Sequence, residues 1–274
     1  MKLAIVSDEI HQDFDKAVEY GKEMGVHRFE LRTAWGSRFP LFSRDQMHRI
    51  KDLCRKEGIQ ITSVSPGLFK TPLHSEEMAF HRGELLEKTL EAAEALEVYQ
   101  IIIFGVQRSP QDRADDRERV KEILGEACIK ASRSGFTMLL ENEPGWWADT
   151  SLNTLDILTE LKDTGIRLNW DVGNLFHAGE EDYREGYNLL KGYIANVHMK
   201  DVKKDPGGNR YVPLGEGDID WIGQLNALLQ DGYDRHIVVE THCSPLPEAS
   251  RKSVEYVRKW LQASGCDFDG EGSI

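Results

Sequence analysis

The sequence predicts a single (β/α)8 barrel, on three observations: a recurring helix–glycine–strand unit, eight strands each followed by a helix, and polar residues on strand faces that a barrel turns inward. The unit reads as an amphipathic helix, then Gly, then a short run rich in β-branched and aromatic residues. It occurs at Gly25 before VHRFELR, Gly58 before IQITSVS and Gly135 before FTMLLENE, and again at Gly165 before IRLNWDV, Gly192 before YIANVHMK and Gly232 before YDRHIVVE. Glycine enters the left-handed conformation that ends a helix without strain, so each one marks a helix stop. Glu97 holds the same place before VYQIIIFG, as the one non-glycine. Successive spacings of these seven positions are 33, 39, 38, 30, 27 and 40, the length a strand plus a crossover helix occupies.

The run KLAIVS supplies the opening strand. Helices are expected near 12–24, 44–57, 77–96, 115–133, 151–163, 181–191, 220–231 and 247–263, and Ser43 with Gln46 has the spacing of a capping box that starts the second. Strands alternating with helices imply a parallel sheet, and eight units favour closure into a barrel. The alternative, an open doubly wound sheet, more often carries a glycine-rich phosphate loop after its first strand; SDEIHQD is not one. No linker or composition break suggests a second domain. Residues 1–264 are therefore expected to form the barrel domain and 265–274 a flexible C-terminal tail.

Composition narrows the function classes. Hydrophobic residues make up 40 % and charged residues 30 %, a globular balance, and 47 acids against 34 bases leave a net charge of −13. Nucleic-acid binders usually present a basic face, so the charge argues against nucleic acid. The start, MKLAIVSDEI, is charged too soon for a signal peptide, and no stretch reaches 18 apolar residues, so no membrane span is expected. Cys54, Cys128, Cys243 and Cys266 form no Cys-x-x-Cys pair, which fits neither a zinc knuckle nor a disulfide framework. The chain reads as cytoplasmic and reduced. A homo-oligomer stays open, because helix-covered barrels often pair through their outer faces.

Side chains alternate faces along a strand. In the fifth strand Thr137, Leu139, Glu141 and Glu143 share a face; in the sixth, Arg167, Asn169 and Asp171 oppose Leu168 and Trp170. In the seventh, Asn196, His198 and Lys200 oppose Val197 and Met199, and in the eighth His236, Val238, Glu240 and His242 form a set. If the apolar sets face the helices, the polar sets point into the barrel and their last members reach the C-terminal mouth. Carboxylates converging there would repel one another unless a cation joined them. Glu141, Asp171, His198 and Glu240 are thus the candidate ligands of one divalent cation. Three carboxylates and one imidazole suit Mn²⁺ first, with Mg²⁺, Co²⁺ and Zn²⁺ as alternatives. Each acid taken alone reads more simply as a helix cap or a surface ion pair; four consecutive strand ends argue for the cation.

At these residues the chain resembles the xylose-isomerase-like TIM-barrel superfamily of sugar isomerases and epimerases, which also holds inosose dehydratase and endonuclease IV. The resemblance runs over nearly the whole chain and is carried by FELR at 29–32, LLENEP at 139–144, NWDVGN at 169–174, NVHMKD at 196–201, LGEGDIDW at 214–221 and VVETH at 238–242. It implies the same four metal ligands and casts Glu141 and Glu240 as the acid and base that exchange a proton next to a carbonyl, through a metal-stabilised enediolate. Many members carry a histidine three residues after the strand-six aspartate, in contact with substrate or a second metal. This chain has Asn174 there, with His177 at a different spacing, which weakens the case for a multi-zinc nuclease.

The expected activity is that of a divalent-metal-dependent sugar isomerase or epimerase. The alternative is a metal-dependent dehydratase of a keto-polyol, of the inosose or dehydroshikimate type; an abasic-site endonuclease and a non-catalytic sugar-binding barrel rank lower. Candidate substrate contacts are Glu143, Asn174, Lys200, Arg32, Trp147 and His177. Glu143 with Lys200, and Glu30 with Arg32, read equally well as internal ion pairs. Trp147, like Trp146 and Trp35, follows a strand end, where its face stacks on a sugar or fills core beneath a loop. No glycine-rich phosphate cradle or arginine cluster appears, which favours an unphosphorylated sugar, polyol ketone or keto-glycoside.

Overall fold

Short runs of branched, aromatic and other apolar residues form strands because such side chains fit a pleated, buried surface. The structure, a computed structural model, describes residues 1–265. Eight such runs make β1 (Lys2–Val6), β2 (Arg28–Leu31), β3 (Gln60–Leu68), β4 (Gln100–Phe104), β5 (Thr137–Glu141), β6 (Arg167–Asp171), β7 (Ile194–Met199) and β8 (His236–Val239). Each pairs in parallel with its neighbour, and β1 pairs with both β2 and β8, so the sheet closes on itself. The outer layer consists of α1 (Phe14–Glu23), α2 (Arg44–Glu57), α3 (Leu86–Ala95), α4 (Asp116–Arg133), α5 (Ser151–Glu160), α6 (Tyr183–Leu190), α7 (Trp221–Gln230) and α8 (Leu246–Ala263). This is the (β/α)8 barrel expected from the repeat. From residue 266 onward, the expected tail lies outside the described residues.

Local signals act as read. Ser43 Oγ accepts from the Gln46 amide and Gln46 returns the bond to the Ser43 amide, a complete capping box at the start of α2. Five of the six helix-stop glycines are left-handed, and Glu97 adopts the same conformation at φ 58° despite its side chain. Gly192 differs from expectation. After α6 the chain tightens into a 3-10 turn over Lys191–Tyr193 and enters β7 without a left-handed residue there. The helix expected at 77–96 is interrupted by a π turn at His81–Leu85, where His81 Nδ1 accepts the Phe69 amide at 2.8 Å.

Alternation decides the layers. Leu168, Trp170, Val197, Met199, Ile237 and Val239 join the large cluster between strands and helices. The opposite faces turn inward, where only small apolar clusters form, around Ile102 and Leu139 and around Val6 and Val238. Each large apolar side chain buried in the outer layer contributes about 1.5–3 kcal/mol. Trp170 also donates Nε1 to Gln224 at 3.0 Å, tying β6 to α7. Two antiparallel ribbons that periodicity did not reveal rise from the C-terminal rim: Thr33–Ala34 with Ser37–Arg38, and Asp201–Asp205 with Gly208–Val212. No helix among the described residues is long and apolar enough to cross a membrane.

Candidate active site

Glu141 and Asp171 end β5 and β6, His198 lies one residue before the end of β7, and Glu240 follows β8 directly. One ligand atom from each of the four lies within 4.8 Å of every other. All four side chains are buried, at 3 %, 0 %, 1 % and 4 % exposure. A ladder of amides fixes the floor beneath them: Asn196 Nδ2 donates to Asn169 Oδ1 (2.9 Å), and Asn169 Nδ2 donates to Glu141 Oε2 (3.1 Å). Asn174 Nδ2 donates to Glu141 Oε1 (3.1 Å) and to the Asn142 carbonyl (2.9 Å). The inward face of the barrel stays polar because these amides largely satisfy one another, Asn196 Oδ1 alone among their buried atoms making no hydrogen bond.

His198 shows how the ligand set is aimed. Its Nε2 lies 3.0 Å from Glu30 Oε2, and Ser63 Oγ donates to the same carboxylate oxygen at 3.0 Å. With Nε2–H directed to Glu30, Nδ1 faces the carboxylates, 3.1 Å from Glu240, 3.6 Å from Glu141 and 3.8 Å from Asp171. That buried Nδ1 makes no hydrogen bond, and neither does Asp171 Oδ2, although the Lys200 ammonium lies 2.9 Å from it. Two bare donor atoms among converging carboxylates fit a divalent cation in the oxygen-plus-imidazole class. A second trio, Glu9, Glu240 and His242, also converges, but the Arg32 guanidinium already bridges Glu9 and Glu240 at 2.6 Å each.

Electrostatics follow from burial and crowding. Burial, reinforced by Glu141 and Glu240 and opposed by Lys200, pushes Asp171 up to about 7. Burial would raise Glu240 too, but Lys200, His198 and His242 outweigh it and hold the carboxyl well below its usual range. Glu141 also falls, His198 overcoming its burial. Burial works against a charge on His198, yet Glu30, Glu240 and Glu141 lift its pKa well above the usual imidazole value. A proton on Nδ1 and a divalent cation are thus alternative ways of neutralising the same cluster. Lys200, with Asp171 and Glu240 overcoming its burial, stays protonated.

Above the cluster opens a cavity of about 320 Å³ lined by Asp8, Arg32, Thr33, Arg38, Ser65, Lys70, Phe104, Glu141, Glu143, Asn174, Lys200, Tyr211, Glu240 and His242. Of the substrate contacts expected from sequence, Arg32, Glu143, Asn174 and Lys200 therefore line it. Both amide hydrogens of Asn174 are engaged by Glu141 and Asn142, so this residue holds Glu141 in place. Trp147 does not line the cavity: it is buried in the outer core with the Arg108 guanidinium 4.3 Å from its ring centroid. Its strand-end position had two outcomes, and core packing prevailed. His177 stands one ring back, behind Tyr211 at 4.8 Å. Glu30 and Arg32, read together from sequence, separate: Glu30 supports His198 from within while Arg32 joins Asp8, Glu9 and Glu240 at the rim. Sequence reasoning missed Arg38, Lys70 and Tyr211, which sit on or beside rim segments without periodicity. Phe104 was findable, since it shares the inward alternation of Ile102.

Known proteins place this architecture. An L-ribulose-5-phosphate 3-epimerase, UlaE, of Salmonella paratyphi A is 27 % identical over 248 residues, covering 88 % of this chain and 84 % of its own. A crystal structure of the probable 3-DHS dehydratase AsbF from Bacillus anthracis superposes with a TM-score of 0.79 at 19 % identity, covering 94 % of this chain and 99 % of that one. The IOLI protein with a bound zinc atom gives 0.79 at 18 %, covering 96 % and 99 %. At such identities the two structures speak to fold alone. The model of the xylose isomerase-like TIM barrel matches residues 18–260, and the chain belongs to that family.

Proposed function

We propose that this chain is a divalent-cation-dependent carbohydrate epimerase or isomerase, in which Glu141 and Glu240 move a proton at the carbon beside a substrate carbonyl. One observation carries the reading: two buried carboxylates flank an imidazole nitrogen that has no hydrogen-bond partner, 3.6 Å from Glu141 and 3.1 Å from Glu240. Glu141, Asp171, His198 and Glu240 would hold the cation, Mn²⁺ before Mg²⁺, Co²⁺ or Zn²⁺. When bound, the cation supplies the positive charge that makes the adjacent C–H acidic. The likeness to a ribulose-phosphate epimerase supports the same class of chemistry.

The residues around the pair have distinct tasks in this reading. Two neutral amides, Asn169 and Asn174, fix both oxygens of Glu141, and its one ionic neighbour among the described residues is the His198 imidazole at 3.6 Å. That leaves the carboxyl free of any Lys or Arg ion pair and suits a group that gains and loses a proton. Glu240 is held ionised by Arg32 at 2.6 Å and Lys200 at 2.6 Å. Lys200, Arg32 and Glu143 remain available to substrate hydroxyls, and Tyr211 with Phe104 walls the site against water.

The test is solvent deuterium exchange into a panel of keto-sugars and inososes with Mn²⁺-loaded protein. Deuterium in recovered substrate and in an epimer or isomer is expected, and both should vanish on chelation and fall by about 10²–10⁴-fold in Glu141→Gln and Glu240→Gln. Exchange that ignores both chelator and Glu141→Gln refutes the proposal. Loss of water from the product would redirect it to a dehydratase.

A further inference from the structure

Every charged residue lining the cavity has an ion-pair partner except Arg38. Arg32 pairs with Asp8, Glu9 and Glu240; Lys70 with Glu143; Lys200 with Asp171 and Glu240; and His242 lies against Glu9 and Glu240. Glu141 lies near His198. Arg38 has no ion pair among the described residues. Its Nη2 donates to the Ser65 carbonyl at 3.3 Å, while its Nε is buried without an acceptor. Burial and the positive charge of Arg32 both disfavour its charged form, and Asp8, Glu141 and Glu143 help only from beyond ion-pair distance. Arg38 is half-buried at the cavity wall, and a guanidinium that has lost part of its water, with a buried Nε–H and no anion beside it, is left under-compensated.

The backbone is nevertheless built to hold it there. At Gly67, φ is +76°, and a Cβ would lie 3.0 Å from Arg38 Nε, 3.1 Å from Cζ and 3.2 Å from Nη2. The guanidinium plane thus rests on a bare Cα that only glycine leaves clear. Arg38 ends the small ribbon after β2, and Gly67 and Ser65 lie in β3. In the ring, β2 and β3 stand across from β6 and β7, which carry Asp171 and His198. Arg38 lines one cavity with Glu141 and Glu240 yet forms an ion pair with neither, so an anion held by Arg38 belongs to a different part of the molecule from the end that meets the carboxylate cluster. Lys70 lines the same cavity, its ammonium 4.1 Å from the Phe104 ring centroid, and adds a second cation.

We propose that Arg38 is the receptor for an anionic substituent, a phosphate ester or carboxylate, at the end of the substrate remote from the cation cluster. A planar guanidinium matches either group with paired N–H bonds. The identity of the substrate as a carbohydrate rests on the function proposed above; anion capture by Arg38 does not. The unphosphorylated substrate favoured by the sequence followed from the lack of an arginine cluster, yet Arg32 and Arg38 line one cavity once the ribbon folds over.

The experiment compares a keto-sugar, its terminal phosphate ester and the matching uronate as exchange substrates for Mn²⁺-loaded wild type, Arg38→Gln and Arg38→Lys. Wild type should prefer an anionic member, and Arg38→Gln should cut that preference by about 10–100-fold, mainly through KM, with partial rescue by Arg38→Lys. Whichever anionic substrate loses more identifies the group. In parallel, calorimetric titration with inorganic phosphate should show binding to wild type weakened about tenfold or more in Arg38→Gln. A wild type without anion preference, a preference that survives Arg38→Gln, or phosphate binding alike to both proteins overturns the inference. If no carbohydrate exchanges at all, the functional reading fails, and the phosphate titration decides on Arg38 by itself.

Discussion

Replacing Glu30 by Gln tests whether an imidazole is aimed at a cation from behind. One oxygen of Glu30, Oε2, accepts from both His198 Nε2 and Ser63 Oγ at 3.0 Å, and the other, Oε1, is buried with no partner. A glutamine can place its carbonyl where Oε2 lies and keep both bonds, so the shape survives. The charge does not: a hydrogen bond to an ionised group contributes about 1.5–3 kcal/mol and to a neutral one about 0.5–1.5. The new amide nitrogen would fall where Oε1 has no acceptor, at a cost of about 1–3 kcal/mol. Glu240 and Glu141 also crowd this imidazole, so losing one negative charge relieves part of that cost. Glu30→Gln is therefore expected to destabilise the cation-loaded protein by about 1–3 kcal/mol and to weaken Mn²⁺ binding about 10–100-fold. Denaturant unfolding and calorimetric Mn²⁺ titration measure the two effects. Cooperative unfolding with Mn²⁺ affinity within twofold of wild type would refute the idea that Glu30 orients a ligand.

Three further outcomes are expected. Asp201 Oδ2 accepts from the Gly215 and Gly217 amides and Oδ1 from those of Val202 and Ile219, so Asp201→Ala should cost about 3–5 kcal/mol in urea unfolding and speed hydrogen exchange across 214–219. A Cβ at Gly173 would lie 2.4 Å from Lys200 Cγ and 3.1 Å from its carbonyl oxygen, so Gly173→Ala should displace Lys200 from Asp171 and Glu240, lose about 1–3 kcal/mol and depress exchange activity, whereas unchanged stability and activity would show that the backbone after β6 yields. Burial first, then Lys2, Arg28 and Arg235, pull His236 down to about 4; because the unfolded chain takes up this proton at about 6.5, stability should fall as pH drops from about 6.5 to 4, and the fall should be shallower in His236→Asn.

The barrel and the four converging strand ends were legible in the sequence because they rest on short-range rules. A glycine after a helix, a period of two along a strand and a Ser–x–x–Gln cap each depend on a few neighbouring residues. Eight strands, each followed by a helix, leave parallel closure as the economical arrangement, and alternation then points Glu141, Asp171, His198 and Glu240 inward. Gly192 shows the limit, since a 3-10 turn ends that unit without the left-handed step. What surrounds the cluster was decided only in three dimensions. Glu30 meets His198 across 168 positions of chain and Arg32 meets Glu240 across 208. Arg38 and Tyr211 arrive on two-stranded ribbons whose pairing leaves no periodic signature. Trp147 went to the core rather than the cavity on the packing of its loop against Arg108. Sequence patterns record which face a residue takes on its own element, whereas the partner of a buried charge is set by where distant elements meet, and a buried charge depends on that partner more than any other group does.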